Sequence, residues 1–151
     1  MRDLVSRDSG RFDVIRLNWS LEHIHDPVGL FRLLQSVSHP RTKVIVTVPN
    51  YEGLTYSVFP DCIEVPVHLQ YFTPSSMSRL CDLTGFRVEH LHTFSTPSVI
   101  ACAIALMEGK KPNSVLMMER RRILDMMDEA HLKGKGDELF CVLSPFVSKG
   151  M

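Results

Sequence analysis

The apolar positions of this chain alternate between two spacings. Residues 12–18, FDVIRLN, carry Val14, Ile15 and Leu17 on both faces, the pattern of a strand covered on two sides. Asp26-Pro27 then offers an N-cap acceptor and a first-turn proline. Leu30, Phe31, Leu33, Leu34 and Val37 follow as the buried stripe of a helix, which His39-Pro40 ends. KVIVTV (43–48) is rich in β-branched residues and stops at Pro49-Asn50, predicting a second buried strand. From Tyr51 to about Phe72 the pattern is irregular and includes Gly53, Pro60 and Pro66; a loop of that length in a compact domain is usually functional or mobile. Thr73-Pro74 repeats the cap-then-proline device and opens a helix with Met77, Leu80, Cys81 and Leu83 inward, closed by Gly85.

FRVEHLHTFS (86–95) sets Phe86, Val88, Leu91 and Phe94 against Arg87, Glu89, His90 and His92, which predicts a strand with one wetter face near a sheet edge. Residues 98–108 read as a short helix. A second helix is expected from Ser114 to about Leu132, with Leu116, Ile123, Leu124, Met127 and Ala130 as its stripe and Gly134 as its stop. ERRR (119–122) reads as a solvated face of that helix. ELFCVL (138–143) supplies a last strand. The order β-α-β-loop-α-β-α-α-β predicts a single α/β domain over residues 1–151, with parallel strands joined by crossover helices. The first strand reads as interior, yet only a polar stub (1–11), expected to be flexible, precedes it. The chain is therefore expected to be incomplete.

Composition narrows the class. Hydrophobic residues are 44% and charged residues 23% of 151, as in soluble globular proteins. Lys plus Arg and Asp plus Glu are 17 each, so no net field favours nucleic acid or an anionic membrane. Cys62, Cys81, Cys102 and Cys141 form no CxxC pair and are expected to be reduced and mostly buried, Cys81 and Cys102 on helical apolar stripes, in a cytoplasmic protein. The longest apolar run, 98–107, is about half the length that crosses a bilayer.

Four segments then carry a resemblance. FDVIRLNWSLEHIHDP (12–27), through Phe12-Asp13-Val14-Ile15, Leu21-Glu22-His23 and Asp26-Pro27, resembles the fourth strand and following turn of class I S-adenosylmethionine-dependent methyltransferases. KVIVTVPN is similar to the family's fifth strand. HLQYFTPSSMSRLCDLTGFRV (68–88) is similar to its H…FT…S…L…GF segment, and GDELFCVLSP (136–145) to the terminal strand that inserts antiparallel between strands five and six. The resemblance implies a partial Rossmann-like sheet holding strands four to seven, with flanking helices. It also implies the C-terminal half of a methyltransferase domain. Two departures stand out. No GxGxG occurs, so the loop that holds the cofactor in the family has no counterpart and S-adenosylmethionine is expected to bind weakly or not at all. Arg16 stands where the family has an apolar residue, so it must find a partner or face an uncovered side.

Ligands of open α/β sheets lie beyond the carboxyl ends of the strands. The resemblance therefore places Asn18, Trp19, Ser20 and Leu21 against the cofactor and Glu22 and His23 near the transferring methyl group. His23 is the candidate base, since imidazole titrates near neutral pH; alternatively Glu22 and His23 only hydrogen-bond the adjacent loop. Asn50, His68, Tyr71 and Phe72 are candidates for the acceptor side, with loop stapling as the competing role for His68 and turn formation for Asn50. No metal is expected, because Asp26 of a His23-x-His25-Asp26 set is needed as a helix cap. Three functions remain open. One is methyl transfer to a small molecule, impaired in this chain. The second is a non-catalytic module that pairs its open sheet edge at 12–18 with another chain, a homodimer being one such pairing. The third is a metal-dependent hydrolase on His23, His25 and Asp26.

Overall fold

A computed structural model of the chain describes residues 12–60 and 66–146. The stub expected at 1–11 and Cys62 lie outside the described residues. Along the chain run β1 (Phe12–Asn18), a 3-10 turn (Leu21–His23), α1 (Pro27–Ser36) and β2 (Ser38–Pro49). After these come α2 (Leu54–Val58), α3 (Pro74–Thr84), β3 (Phe86–Phe94), α4 (Pro97–Glu108), α5 (Pro112–Met118), α6 (Arg120–Leu132) and β4 (Glu138–Pro145). The four strands form one sheet in the order β1-β2-β4-β3. β1 runs parallel to β2, and β4 is inserted antiparallel between β2 and β3, as the terminal strand was expected to be.

Local chemistry accounts for the helix starts. Asp26 Oδ1 accepts the Gly29 N–H at 2.8 Å, with Pro27 in the first turn of α1. Thr73 and Ser76 form a reciprocal capping box on α3, and Gly85 closes that helix with φ 76, a left-handed conformation that glycine adopts without strain. α1 and α3 then cover one face of the sheet. Phe31, Leu34, Met77, Leu80, Cys81 and Phe86 pack on Val44, Val46 and Val48 of β2 and on Leu139, Cys141 and Leu143 of β4. Phe31 and Phe86 meet edge to face, with ring centres 5.6 Å apart. A smaller cluster of Ile100, Ala101, Ile104, Ala105, Val115 and Ile123 unites α4, α5 and α6. No helix among the described residues is long and apolar enough to cross a membrane.

Several expectations are corrected. β1 lies at the sheet edge and is not covered on two sides; Val14 is 58% exposed, and no described strand pairs with its outer edge. Arg16 sits in that open environment and donates through Nε to Asn18 Oδ1 at 2.9 Å, so its charge is not buried. The helix expected over 114–132 is two, because the backbone turns at Glu119 (φ −118, ψ 31). That turn resets the phase: Val115, Ile123 and Ala130 face inward, whereas Leu116 and Leu124 are exposed. Leu83 is exposed because the inward face of α3 is Met77, Leu80, Cys81 and Thr84, the spacing of one helical stripe. Cys102 is exposed too, leaving Cys81 and Cys141 as the buried thiols among the described residues. The irregular stretch after Tyr51 contains the short helix α2.

Candidate functional site

The parallel strands β1 and β2 end at the same edge of the sheet, and β4, running the other way, begins there. Asn18, Trp19, Asn50 and Glu138 are thereby gathered on one rim. The chain leaves β1 through Trp19, whose φ of 41 is unusual for a residue with a side chain. Its backbone N–H donates to Thr47 O at 2.9 Å, and its indole Nε1 donates to Glu138 Oε2 at 2.8 Å. The 3-10 turn then carries Leu21 and Glu22 into the interior and leaves His23 at the surface.

A strap, residues 66–72, crosses this turn. The N–H groups of Leu69 and Gln70 both donate to Glu22 O, at 2.8 and 3.0 Å, and Tyr51 N–H donates to Phe72 O at 2.8 Å. His23 Nδ1 lies 2.7 Å from Val67 O. A carbonyl can only accept, so Nδ1 carries the hydrogen and the lone pair of the neutral ring is on Nε2. The rings of His23 and His68 stand 5.0 Å apart. Glu22 is 1% exposed; its Oε1 is 3.7 Å from His23 Nε2, and its Oε2 is buried with no hydrogen-bond partner among the described residues. Tyr51 bridges Tyr56 and Tyr71, with ring centres 5.1 and 5.2 Å away, forming an aromatic cluster beside the strap.

The residues singled out in the sequence divide into two groups. Trp19, His23 and His68 reach the rim, with Asn18, Ser20 and Tyr71 half-buried around it. Leu21 and Phe72 do not; both belong to the core, and neither has a face to offer a ligand. Asn50 is fully buried, and its carboxamide is engaged with the chain itself. It donates to Gly136 O at 2.7 Å and accepts the Glu52 N–H at 3.2 Å, so it braces the 134–137 loop. His23, His25 and Asp26 do not converge. Asp26 caps α1, and the group of metal-capable side chains among the described residues is Glu22, His23 and His68. Glu138 escaped the sequence reading. Burial raises its pKa, the neighbouring Asp137 and Glu22 add to the rise, and the Trp19 hydrogen bond opposes them. The signal that pointed to it was GDELF itself, since an antiparallel last strand must begin where the others end.

A separate groove of about 330 Å³, lined by Arg41, Lys43, Arg87 and Glu89, opens at the opposite ends of the strands. Its charges largely satisfy each other, with Lys43 Nζ 2.6 Å from Glu89 Oε1. It is remote from the rim.

Trp19 offers a half-exposed indole, and Asn18 and Ser20 offer polar groups.

Comparison with known proteins fits this geometry. A family model described as a methyltransferase domain matches residues 2–91. Solved structures share the fold. A S-adenosylmethionine-dependent methyltransferase from Archaeoglobus fulgidus aligns with TM-score 0.56 and 16% identity over 95% of this chain and 63% of its own. Another from Mesorhizobium loti gives TM-score 0.55 and 13% identity over 89% and 62%. The [4+2]-cyclase SpnF gives TM-score 0.54 and 15% identity over 97% and 54%. This chain therefore spans less than two thirds of the length of each. No curated protein matches it. With an α/β sheet whose last strand is inserted antiparallel, and a family match covering more than half its length, this chain belongs to the methyltransferase-domain family.

Proposed function

We propose that the rim built by Asn18, Trp19, Ser20, Glu22, His23 and the 66–72 strap serves methyl transfer from S-adenosylmethionine to a small-molecule acceptor. The observation that carries the reading is the Glu22 carbonyl, which holds Leu69 and Gln70 and so sets His68 beside His23 at the carboxyl end of β1. The chemistry supplied by bound S-adenosylmethionine is a sulfonium methyl group open to in-line displacement. Trp19 and Asn18 would hold the cofactor's side of the rim. His68 and the Tyr51–Tyr71 pair would hold the acceptor. His23 Nε2, which carries the lone pair of the neutral ring, would take the acceptor's proton. A reduced, cytoplasmic setting, with no nucleic acid or membrane partner, accords with the balanced charge and the free cysteines.

Calorimetric titration with S-adenosylmethionine tests the proposal. Weak heat that Trp19→Ala abolishes is the expected result, weak because the GxGxG loop is missing from the sequence. A folded sample that gives no heat at millimolar cofactor sinks the reading for this chain.

A second reading is favoured by the bare edge of β1, where Phe12 is 40% and Val14 58% exposed. An unpaired apolar edge is a template for strand addition, and a homodimer through 12–18 would cover it. Light scattering after size-exclusion chromatography separates the two. A dimer that Val14→Lys dissolves supports edge pairing, and a monomer across the concentration range removes it.

A further inference from the structure

We propose that Glu22, His23 and His68 form a site for one divalent transition-metal ion, with zinc the best match. The proposal uses the same rim as the methyl-transfer reading but does not require that reading to be right.

Three observations converge. The first is donor chemistry: two imidazoles and a carboxylate are a set that suits zinc and leaves a fourth, open position. One ligand atom from each of the three side chains lies within 4.8 Å of the others. Ligands bound at about 2.0–2.1 Å around a tetrahedral ion stand roughly 3.3 Å apart. The Glu22 Oε1 to His23 Nε2 distance of 3.7 Å is already close to that, and the His68 ligand atom lies within the same 4.8 Å.

The second is orientation. His23 donates its Nδ1–H to Val67 O at 2.7 Å, and a ligating histidine is usually fixed in its tautomer by such a backbone carbonyl. In the neutral ring the lone pair is then on Nε2, 3.7 Å from Glu22 Oε1.

The third is an unmet need. Glu22 is buried, and its Oε2 has no hydrogen-bond partner among the described residues. An orphaned buried oxygen is costly, and the 3.7 Å approach of His23 is to the other oxygen, Oε1, and too long for a hydrogen bond. A cation between the carboxylate and the two rings would neutralise the charge of this buried carboxylate. The ligands come from two segments that the Glu22 carbonyl already ties together, so the site needs little ordering.

If methyl transfer occurs here, an ion at this place has a defined use. Its open position faces the rim and would lower the pKa of an acceptor hydroxyl bound to it. His23 would then be a ligand and not a base.

The test is metal binding by the full chain, with neither S-adenosylmethionine nor acceptor present, so that it fails or succeeds independently of catalysis. Zinc is titrated in competition with a chromophoric chelator, and cobalt(II) is followed by its visible absorption. One ion per chain is expected. His68→Ala, on the half-buried strap, should weaken binding by at least the roughly 10–100-fold that even orienting partners of a metal site contribute. Glu22→Gln should do the same, and far-UV circular dichroism verifies the fold of each variant. His92→Ala, in the separate His92–His131 pair whose rings are 6.2 Å apart, should leave affinity unchanged. A folded wild-type chain that takes up no zinc overturns the proposal. So does binding that survives His68→Ala or disappears with His92→Ala.

Discussion

Trp19 and Glu138, 119 residues apart, are joined by an indole-to-carboxylate hydrogen bond of 2.8 Å. This bond locks the exit of β1 to the entry of β4 and holds Trp19 in its left-handed backbone conformation. Because burial raises the Glu138 pKa, the fold binds that proton more tightly than the unfolded chain does. Stability from this group is therefore greatest below the ordinary carboxylate value, falls as pH rises through the raised value, and is flat above it. Glu138→Gln should remove that decline while keeping an acceptor for Trp19. Trp19→Phe deletes the hydrogen bond that lowers the Glu138 pKa, so it should push the pKa further up. It should also cost about 1 kcal/mol, the usual net worth of such a bond. Carboxyl NMR titration and urea unfolding at two pH values check both; an unmoved Glu138 pKa in Trp19→Phe would show that the bond does not form in solution.

The two glycines before β4 are not equivalent. Gly134 has φ 65 but open space around it, whereas a Cβ on Gly136 would come within 2.6 Å of Phe94 Cα. Gly136 also donates to Thr93 Oγ1 at 3.1 Å and accepts from Asn50, so it cannot retreat without breaking both bonds. Gly134→Ala should cost about 1–2 kcal/mol, the strain of a left-handed alanine. Gly136→Ala should reach or exceed the top of the roughly 1–3 kcal/mol range for overpacking. Equal midpoints in urea would contradict this ordering.

The contrast between these positions shows what the sequence could reveal. β2, α1 and α3 were legible because β-branched runs and cap-then-proline pairs act locally. The antiparallel place of β4 was legible only through the family resemblance. Leu116, Leu124, Leu83 and Cys102 were misassigned because a stripe of apolar residues fixes a helix face only when the helix's phase is known. The turn at Glu119 has no Gly or Pro to announce it. His68 joined His23 through backbone bonds of the strap, and Glu138 joined Trp19 across the sheet. Neither contact leaves a trace in residue spacing. SpnF, a cyclase that shares this fold, shows why the fold alone does not specify the chemistry.

Thiol reactivity should follow burial. Cys81 and Cys141 are buried, and burial pushes each thiol up to about 12, so almost no thiolate exists at neutral pH. Cys102 projects from the outer side of α4. Alkylation of the native protein followed by peptide mass mapping should label Cys102 within minutes and leave Cys81 and Cys141 unmodified until denaturant is added. Native labelling of Cys141 would mean that the sheet opens far more readily than its packing implies.

A charge network ties the end of α4 to the start of α6. Glu108 meets Lys110 at 2.6 Å and Arg122 at 2.7 Å, and Glu119 meets the same two cations at 2.8 Å each. Hydrogen bonds from Arg122 and then Lys110 lower the Glu108 pKa to about 2, and those from Lys110 and then Arg122 lower that of Glu119. Carboxylates with depressed values stabilise the fold above their ordinary value and lose that contribution as pH falls. The helical lobe should thus weaken between about pH 4.5 and pH 2, below the window in which Glu138 changes stability with the opposite sign. Glu108→Gln should lower the melting temperature at pH 7 and flatten the acid limb, and 1 M sodium chloride should shrink the difference between variant and parent, because these exposed charges are screened. Melting curves from pH 7 to pH 2 at low and high salt decide it. Parallel acid limbs for the two proteins would mean that the pairs seen between α4 and α6 contribute nothing to holding the lobe together.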